Sequence, residues 1–383
     1  MSDIVTSAPA SAIYRPAALN YGFSGAGMDL DRCTASIRRG SKSFHIASLL
    51  LPRDTRQAAH ALYAFCRHSD DAVDARGRRA DVLERLRERL DRLYAGTPSD
   101  HACDRAFARL VETHGIPKAV PVALLDGFEM DMTERRYRTI AEVKDYAAGV
   151  ASSVGIMMAL VMQTNEPWAL ARAADLGLAM QLTNIARDVG EDLANGRLYL
   201  PEDWLTEAGV DIAALRAAPR FTPEIGGVVA RLLREADQHY ALAHAGIAAL
   251  PADCRHAIRT AALTYREIGR EIALAGHDSL TRRARTSLPR KLAIMLAARR
   301  PVALSEGFMA AARLAPPDPS VQSLVQAAAG HAVASSSLPT AGEGGLDRFA
   351  TLLLDLERRA HANRRPIRRP STKGIAEGAS GHV

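Results

Sequence analysis

Two stretches of this chain put carboxylates where chemistry could use them. The first is Tyr63-Ala-Phe-Cys-Arg-His-Ser-Asp-Asp-Ala-Val-Asp74. Written on a helix, its Tyr63, Arg67, Asp70 and Asp74 fall within roughly 60° of one another, with Asp71 just outside that arc. The second is Gln181-Leu-Thr-Asn-Ile-Ala-Arg-Asp-Val-Gly-Glu-Asp192. There Gln181, Asn184, Asp188 and Asp192 share an arc of roughly 80°. Each face carries two acids, and an arginine, Arg67 or Arg187, adjoins each. Carboxylates without His or thiolate partners select a hard divalent cation, and Mg2+ divides its positions among carboxylates, water and substrate phosphates. The arginines add planar donors that match phosphate oxygens. The ligand implied is a diphosphate held through Mg2+, with Mn2+ as a substitute.

A diphosphate clamped in this way is a good leaving group, because its developing charge is neutralised where it appears. If the carbon it leaves is allylic, the product is a stabilised carbocation that needs a dry, apolar cavity. Other two-acid chemistries fit less well. The chain has no Glu-x-x-His pair of the di-iron bundles, and four acids on two helices exceed what a glycosidase requires.

The elements that must position these faces are helices, and both acid sets sit at helix ends. The first helix is expected to open after an N-cap at Asp54 and to stop near Arg76-Gly77, the second to stop at Asn195-Gly196. Carboxylates in a last turn oppose the helix dipole by roughly 0.3 to 1 kcal/mol each. A rule broken twice in the same direction marks a site, and cations between the clusters would offset the penalty.

The rest of the chain reads as their scaffold. Of 383 residues 48% are hydrophobic but only 5% aromatic, with Ala, Leu and Arg abundant, a composition that favours an all-α fold. The formal charge is +6, and residues 346–383 hold eight Lys/Arg against four Asp/Glu. A body so near neutral argues against nucleic acid as a partner. Cys33, Cys66, Cys103 and Cys254 have no zinc or Cys-x-x-Cys spacing and read as reduced thiols of a cytoplasmic protein. Residues 1–28 read as a flexible arm without signal-peptide features, and the longest apolar run, 154–162, falls short of the ~18 residues of a membrane span.

Weaker signals lie between. Ser41-Lys42-Ser43-Phe44 could meet phosphate oxygens or simply cap a helix, and Asp126-Gly-Phe-Glu-Met-Asp131 could form a wall that turns from apolar to polar. Small residues from Ala147 to Gly155, followed by Ile156-Met-Met-Ala-Leu-Val-Met162, allow close helix packing or leave room for a long apolar guest. Tyr265 and the pair Arg282-Arg283 stand out further on. Residues 301–383 read as a linker-rich extension, with an amphipathic helix at 346–362 and a basic end of the kind that lies on an anionic membrane face.

In wording and order these motifs resemble the squalene and phytoene synthases of isoprenoid metabolism. The resemblance runs from about Asp31 to Leu296 and rests on Ser41 to Phe44, Tyr63 to Asp74, Asp126 to Asp131, Gln181 to Asp192, Gly196-Arg-Leu-Tyr-Leu-Pro201, Tyr265 and Arg282. It implies a single-domain, all-α isoprenoid-synthase bundle over 29–300 with a central apolar cavity. It further implies that two geranylgeranyl diphosphates condense head to head through prephytoene diphosphate to phytoene, the first committed step of carotenoid biosynthesis. Asp70, Asp74, Asp188 and Asp192 would hold Mg2+, and Arg67, Arg187, Tyr265 and Arg282 the diphosphate. Ser41, Lys42, Ser43, Tyr63, Gln181 and Asn184 would line the substrate sites, while Phe44 and Tyr199 would shape the cavity near the cations. No NADPH is expected, since the wording matches carotenoid-pathway members rather than the reductive squalene synthases. Sister activities remain open: presqualene diphosphate or dehydrosqualene synthesis from farnesyl diphosphate, or a catalytically inactive assembly factor. Peripheral contact with the inner face of a membrane is expected of the tail, and the oligomeric state is left open.

Overall fold

The structure is a computed structural model that describes residues 26–74, 81–133 and 135–330. In chain order its helices are α1 (Ala26–Gly40), α2 (Lys42–Ser48), α3 (Arg53–Asp74), α4 (Val82–Tyr94), α5 (Ala102–His114), α6 (Ala119–Met132) and α7 (Ile140–Ala147). A single π turn, Ala148–Ser152, joins α7 to α8 (Ser153–Val161). There follow α9 (Pro167–Ala194), α10 (Glu202–Glu207), α11 (Ile212–Ala217), α12 (Pro223–Ile247), α13 (Ala252–Leu274), α14 (Leu288–Ala297), α15 (Glu306–Leu314), a 3-10 turn and α16 (Gln322–Ala329). Among the described residues there is no strand, as the composition implies.

Helix α9 is the axis of the bundle. It opens with Pro167 in its first turn and closes at Asn195 with Gly196 at φ +79°, the left-handed stop anticipated from sequence. Its N-terminal half packs into one core with Phe65, Phe107, Phe128, Ile156 and Met157, and its C-terminal half into another with Tyr146, Leu198, Trp204, Leu232 and Ile272. The small-residue stretch serves close packing. A Cβ on Gly177 would stand 2.5 Å from the Ser152 Cα, and one on Gly155 2.6 Å from the Ala173 carbonyl oxygen, so α9 and the α8 rod touch backbone to backbone. That contact, with the π turn beside it, fixes where the rod points its side chains.

Two boundaries differ from expectation. Helix α1 already starts at Ala26, inside the segment read as an arm. At the other end, residues 301–329 are not a linker: Val321, Leu324, Val325 and Ala328 are buried in the first core. The buried Arg172 guanidinium also donates to the carbonyls of Ala312 (2.8 Å) and Pro316 (3.3 Å). Pro and Ser composition misled here because tertiary burial of a few apolar positions leaves no local signature. The amphipathic helix expected at 346–362 and the helix stop at Arg76-Gly77 lie outside the described residues. The four cysteines are free thiols.

Candidate active site

Helices α3 and α9 line one apolar cavity of about 360 Å3. Leu62, Tyr63 and Cys66 come from α3, and Gly177, Gln181 and Asn184 from α9. Val154, Met158 and Met162 close it from α8 and its end, so the methionines anticipated as an adaptable wall are there. Along α9 the lining runs from Ala169 to Asn184, with Asp188 one turn further, about 28 Å from Ala169 at 1.5 Å per residue. Both acid sets therefore lie in sequence one turn or more beyond the apolar lining of their own helices.

On α9, Asp188 is gripped from two sides. Arg187 Nε and Nη2 donate to its oxygens at 2.8 and 2.5 Å, and Arg283 Nε and Nη2 at 2.8 and 3.2 Å. Burial alone would raise this carboxyl, but the guanidinium hydrogen bonds outweigh it and hold the group below the usual carboxylate range. Arg283 also reaches Glu191 at 2.9 Å. Asp192 is in the opposite state. Burial pushes it up to about 7, the charges of Asp188 and Glu191 add to that, and Arg197 only partly opposes them.

On α3 the acids are more open. Arg67 pairs with Asp70 at 3.2 Å and with Asp71 at 2.5 Å, all on its own helix. Asp74 is the last residue of α3, one turn past Asp70. Tyr265 links the two sets: burial raises its phenol to about 12, and it lies within electrostatic reach of Arg187 and Asp188 on α9 and of Tyr63 on α3. Phe44 stacks on Tyr265 with ring centroids 5.1 Å apart and joins the cavity wall. Tyr63 in turn needs Gly40, where a Cβ would stand 2.2 Å from its hydroxyl oxygen.

The Ser-Lys-Ser segment has a mixed outcome. Ser41 caps α2 by accepting from the Phe44 amide at 3.2 Å, the structural role weighed against binding. Ser43 accepts from Lys291 at 3.0 Å, and burial, with Lys42 nearby, lowers the Lys291 ammonium. Lys42 and Lys291 are thus cations close to each other beside α2, and Lys291 carried no signal in the sequence. Arg282 is exposed, and its charge is felt at Asp278; the neighbouring Arg283 is the one that reaches Asp188. Asp126 and Glu129 pair with Arg87 at 2.9 and 2.7 Å, and neither lines the cavity.

Tyr199 is not in the cavity lining. Its hydroxyl donates to Asp131 at 2.5 Å, as the Tyr146 hydroxyl does at 2.9 Å, and the two rings stack at 4.9 Å. Burial first, and then the Asp131 charge, raises both phenols, so they stay protonated as donors. Asp131 is also close enough to raise Asp192, which places this phenol pair behind the α9 acids. Tyr146 was missed as a site residue, although it directly precedes the small-residue stretch.

The donor set suits a hard cation. The carboxylates bring only oxygens, the Asn184 Oδ1 is buried without a partner, and burial, with the charge of Asp188 added, raises the Asp192 carboxyl to about 7, a shift that a bound cation would oppose. Among the described residues no three such ligands converge into a ready-made ion cage.

The family described as squalene/phytoene synthase matches residues 37–290. The chain is 48% identical over 315 residues to a phytoene synthase of Cereibacter sphaeroides, covering 79% of this chain and 89% of that one. It is 41% identical over 271 residues to a 15-cis-phytoene synthase of a Paracoccus species, covering 68% and 88%. Among solved structures it is similar to a dehydrosqualene synthase in complex with a ligand, at TM-score 0.65 and 28% identity over 72% of this chain and 97% of that one.

Proposed function

The chain belongs to the squalene/phytoene synthase family, and on that premise we propose that it is a prenyltransferase of carotenoid biosynthesis that joins two geranylgeranyl diphosphates head to head into phytoene. The observation that carries this reading is the apolar cavity that α3 and α9 line together, each helix carrying an acid-and-arginine set one turn beyond that lining. Members of this family act on prenyl diphosphates and depend on metal ions. In our reading the ions are Mg2+, held by Asp70 and Asp74 from α3 and by Asp188, Asp192 and the Asn184 oxygen from α9. When bound, Mg2+ neutralises the charge that gathers on a departing diphosphate.

The chain's own residues do the rest. Arg67, Arg187 and Arg283 are planar donors paired with the acids of α3 and α9, and each could exchange a carboxylate partner for phosphate oxygens. Lys42 and Lys291 add positive charge on the α2 side. Below them the Met158, Met162 and Phe44 wall excludes water, so that the allylic cation left by the first diphosphate meets the double bond of the second prenyl chain before it meets a hydroxyl. Loss of a proton from the resulting cation closes the cyclopropane of prephytoene diphosphate, with the first diphosphate released, and a second ionisation that releases the remaining diphosphate, rearrangement and a further proton loss give phytoene. Phe44 and Tyr265, stacked on each other in the cavity wall, would add aromatic electron density near the cations without supplying a nucleophile. Asp131 fixes the Tyr199 and Tyr146 hydroxyls behind Asp192 and holds them as neutral donors.

The length of the α9 lining supports the longer, C20 substrate, and the many small residues along it leave that length open. The test is direct. Purified protein given geranylgeranyl diphosphate and Mg2+, with no nicotinamide, is expected to release phytoene. Turnover confined to farnesyl diphosphate, giving only a C30 product, would contradict the chain length and leave the reaction type intact.

A further inference from the structure

Behind α13, away from the reaction cavity, lies a second concavity of about 880 Å3. α13 is a wall of both. Its Ala257, Ala261 and Tyr265 line the reaction cavity, and its Arg266, Gly269, Arg270 and Ala273 line the other. α14 divides in the same way: Lys291 reaches Ser43 on the catalytic side, whereas Arg290, Ala293 and Ala297 line the groove.

The groove's floor and its rim have different chemistry. Much of the lining is small and apolar, with Ala230, Leu233, Ala236, Gly269 and Ile294 in it, and at its base the Thr183 and Tyr240 hydroxyls pair with each other. The rim carries four arginines, Arg234, Arg266, Arg270 and Arg290, against the acids Asp237 and Glu267. Arg266 donates to Asp237 at 2.7 Å, and Arg270 and Arg290 share Glu267 at 2.9 and 2.7 Å. Two positive charges are left over, and Arg234 forms no ion pair among the described residues. Beside the groove two large side chains stand in solvent, Leu274 at 68% exposure at the end of α13 and Leu296 at 56% on α14. Arg299 and Arg300 follow, also exposed.

Unmatched arginines next to solvated leucines fit an anionic lipid leaflet, in which the leucines enter the acyl boundary and the guanidiniums meet headgroup phosphates. A soluble anion would leave the leucines wet. A second copy of the chain in a two-fold contact would set arginines against arginines. We propose that the groove between α12, α13 and α14 docks an acidic phospholipid of a bilayer and holds the enzyme's body at the membrane, independently of the basic residues near its C-terminus. The docking face then lies one helix away from the cavity that takes the prenyl chains.

The experiment is co-sedimentation of the full chain with phosphatidylglycerol-containing vesicles and with pure phosphatidylcholine vesicles. Arg234→Gln with Arg270→Gln is expected to weaken partitioning onto the anionic vesicles about 25-fold, at about fivefold for each cation near the surface. Leu274→Ser with Leu296→Ser is expected to weaken it as well, and both pairs should leave turnover in detergent unchanged. Unchanged partitioning by both pairs overturns the proposal, as does equal partitioning of the wild type onto neutral vesicles. Loss of binding confined to a variant carrying Arg364→Ser, Arg365→Ser, Arg368→Ser and Arg369→Ser would move the contact to the C-terminal residues and overturn it too. So would light scattering showing that the groove variants dissociate a dimer, which would make the groove a contact between copies.

Discussion

The acid faces of α3 and α9 have nearly the same wording but not the same physics. On α3 the carboxylates are open, with the Asp70 and Asp71 side chains 39% and 55% exposed, and Arg67 of the same helix pairs with both. On α9 Asp188 and Arg187 are only 16% and 18% exposed, and a second guanidinium arrives from Arg283, 95 residues further on. Exposed pairs within one helix contribute little and rearrange readily, whereas buried, doubly held ones are costly to disturb. The α9 half is thus the pre-organised side of the mouth and the α3 half the adjustable one. A ligand that needs both must draw α3's acids toward a site that α9 already presents.

That contrast orders the effects of mutation. Asp188→Asn is expected to lower kcat by on the order of a thousandfold, the scale for removing a preorganised electrostatic partner. Asp70→Asn should cost less, because Asp71 stands beside it and the face can readjust. The reverse ranking in steady-state kinetics would break the comparison. Next in size, Arg187→Lys removes a planar fork from Asp188 and should raise KM on the order of tenfold, as expected when a hydrogen bond to a charged group is lost. Arg67→Lys should change KM by a smaller factor, and equal effects would show that the two halves share the diphosphate evenly.

A pH experiment sharpens the picture of Asp192. Its folded carboxyl is raised to about 7 from an ordinary 3.8, mainly by burial and then by Asp188. Between those values the unfolded chain has lost the proton and the native one still holds it, so native stability from this group falls as pH climbs through that window. Asp192→Asn has no proton to lose. In metal-free buffer its stability relative to wild type should therefore rise from about pH 4 to 7 and then level off, by a few kcal/mol at most. Stabilities of the two proteins from urea unfolding that run parallel across that range would remove the account of a carboxyl raised by burial. The smallest effect belongs to Asp71→Asn, whose half-exposed pair with Arg67 should matter by no more than about 0.5 kcal/mol in the same assay.

What could be read from the sequence follows from what is local. The α9 acid face, its Asn195-Gly196 stop and the shared face of Tyr63, Arg67 and Asp70 depend on helical period and capping, which a single segment encodes. Arg282 and Arg283 lie where no helix fixes a period, so sequence could not decide which one turns inward, and it is Arg283. Lys291 and Tyr146 reach the site only through packing of α14 and of the rod that starts at α7, over long separations. The boundary at 300 failed for a related reason. Val321 and Leu324 look like parts of a spacer until α9 supplies the core they cover.

The account's central claim is that metal and diphosphate bind as one unit between an ordered α9 half and an adjustable α3 half. Calorimetric titration of Mg2+ into the protein, with and without inorganic diphosphate, tests it most directly. Weak Mg2+ binding alone and much tighter binding with diphosphate is predicted, the two affinities rising by the same factor as linkage requires, with the coupling lost in Asp70→Asn and in Asp188→Asn. Tight Mg2+ binding that diphosphate leaves unchanged, or coupling that survives both substitutions, would contradict it.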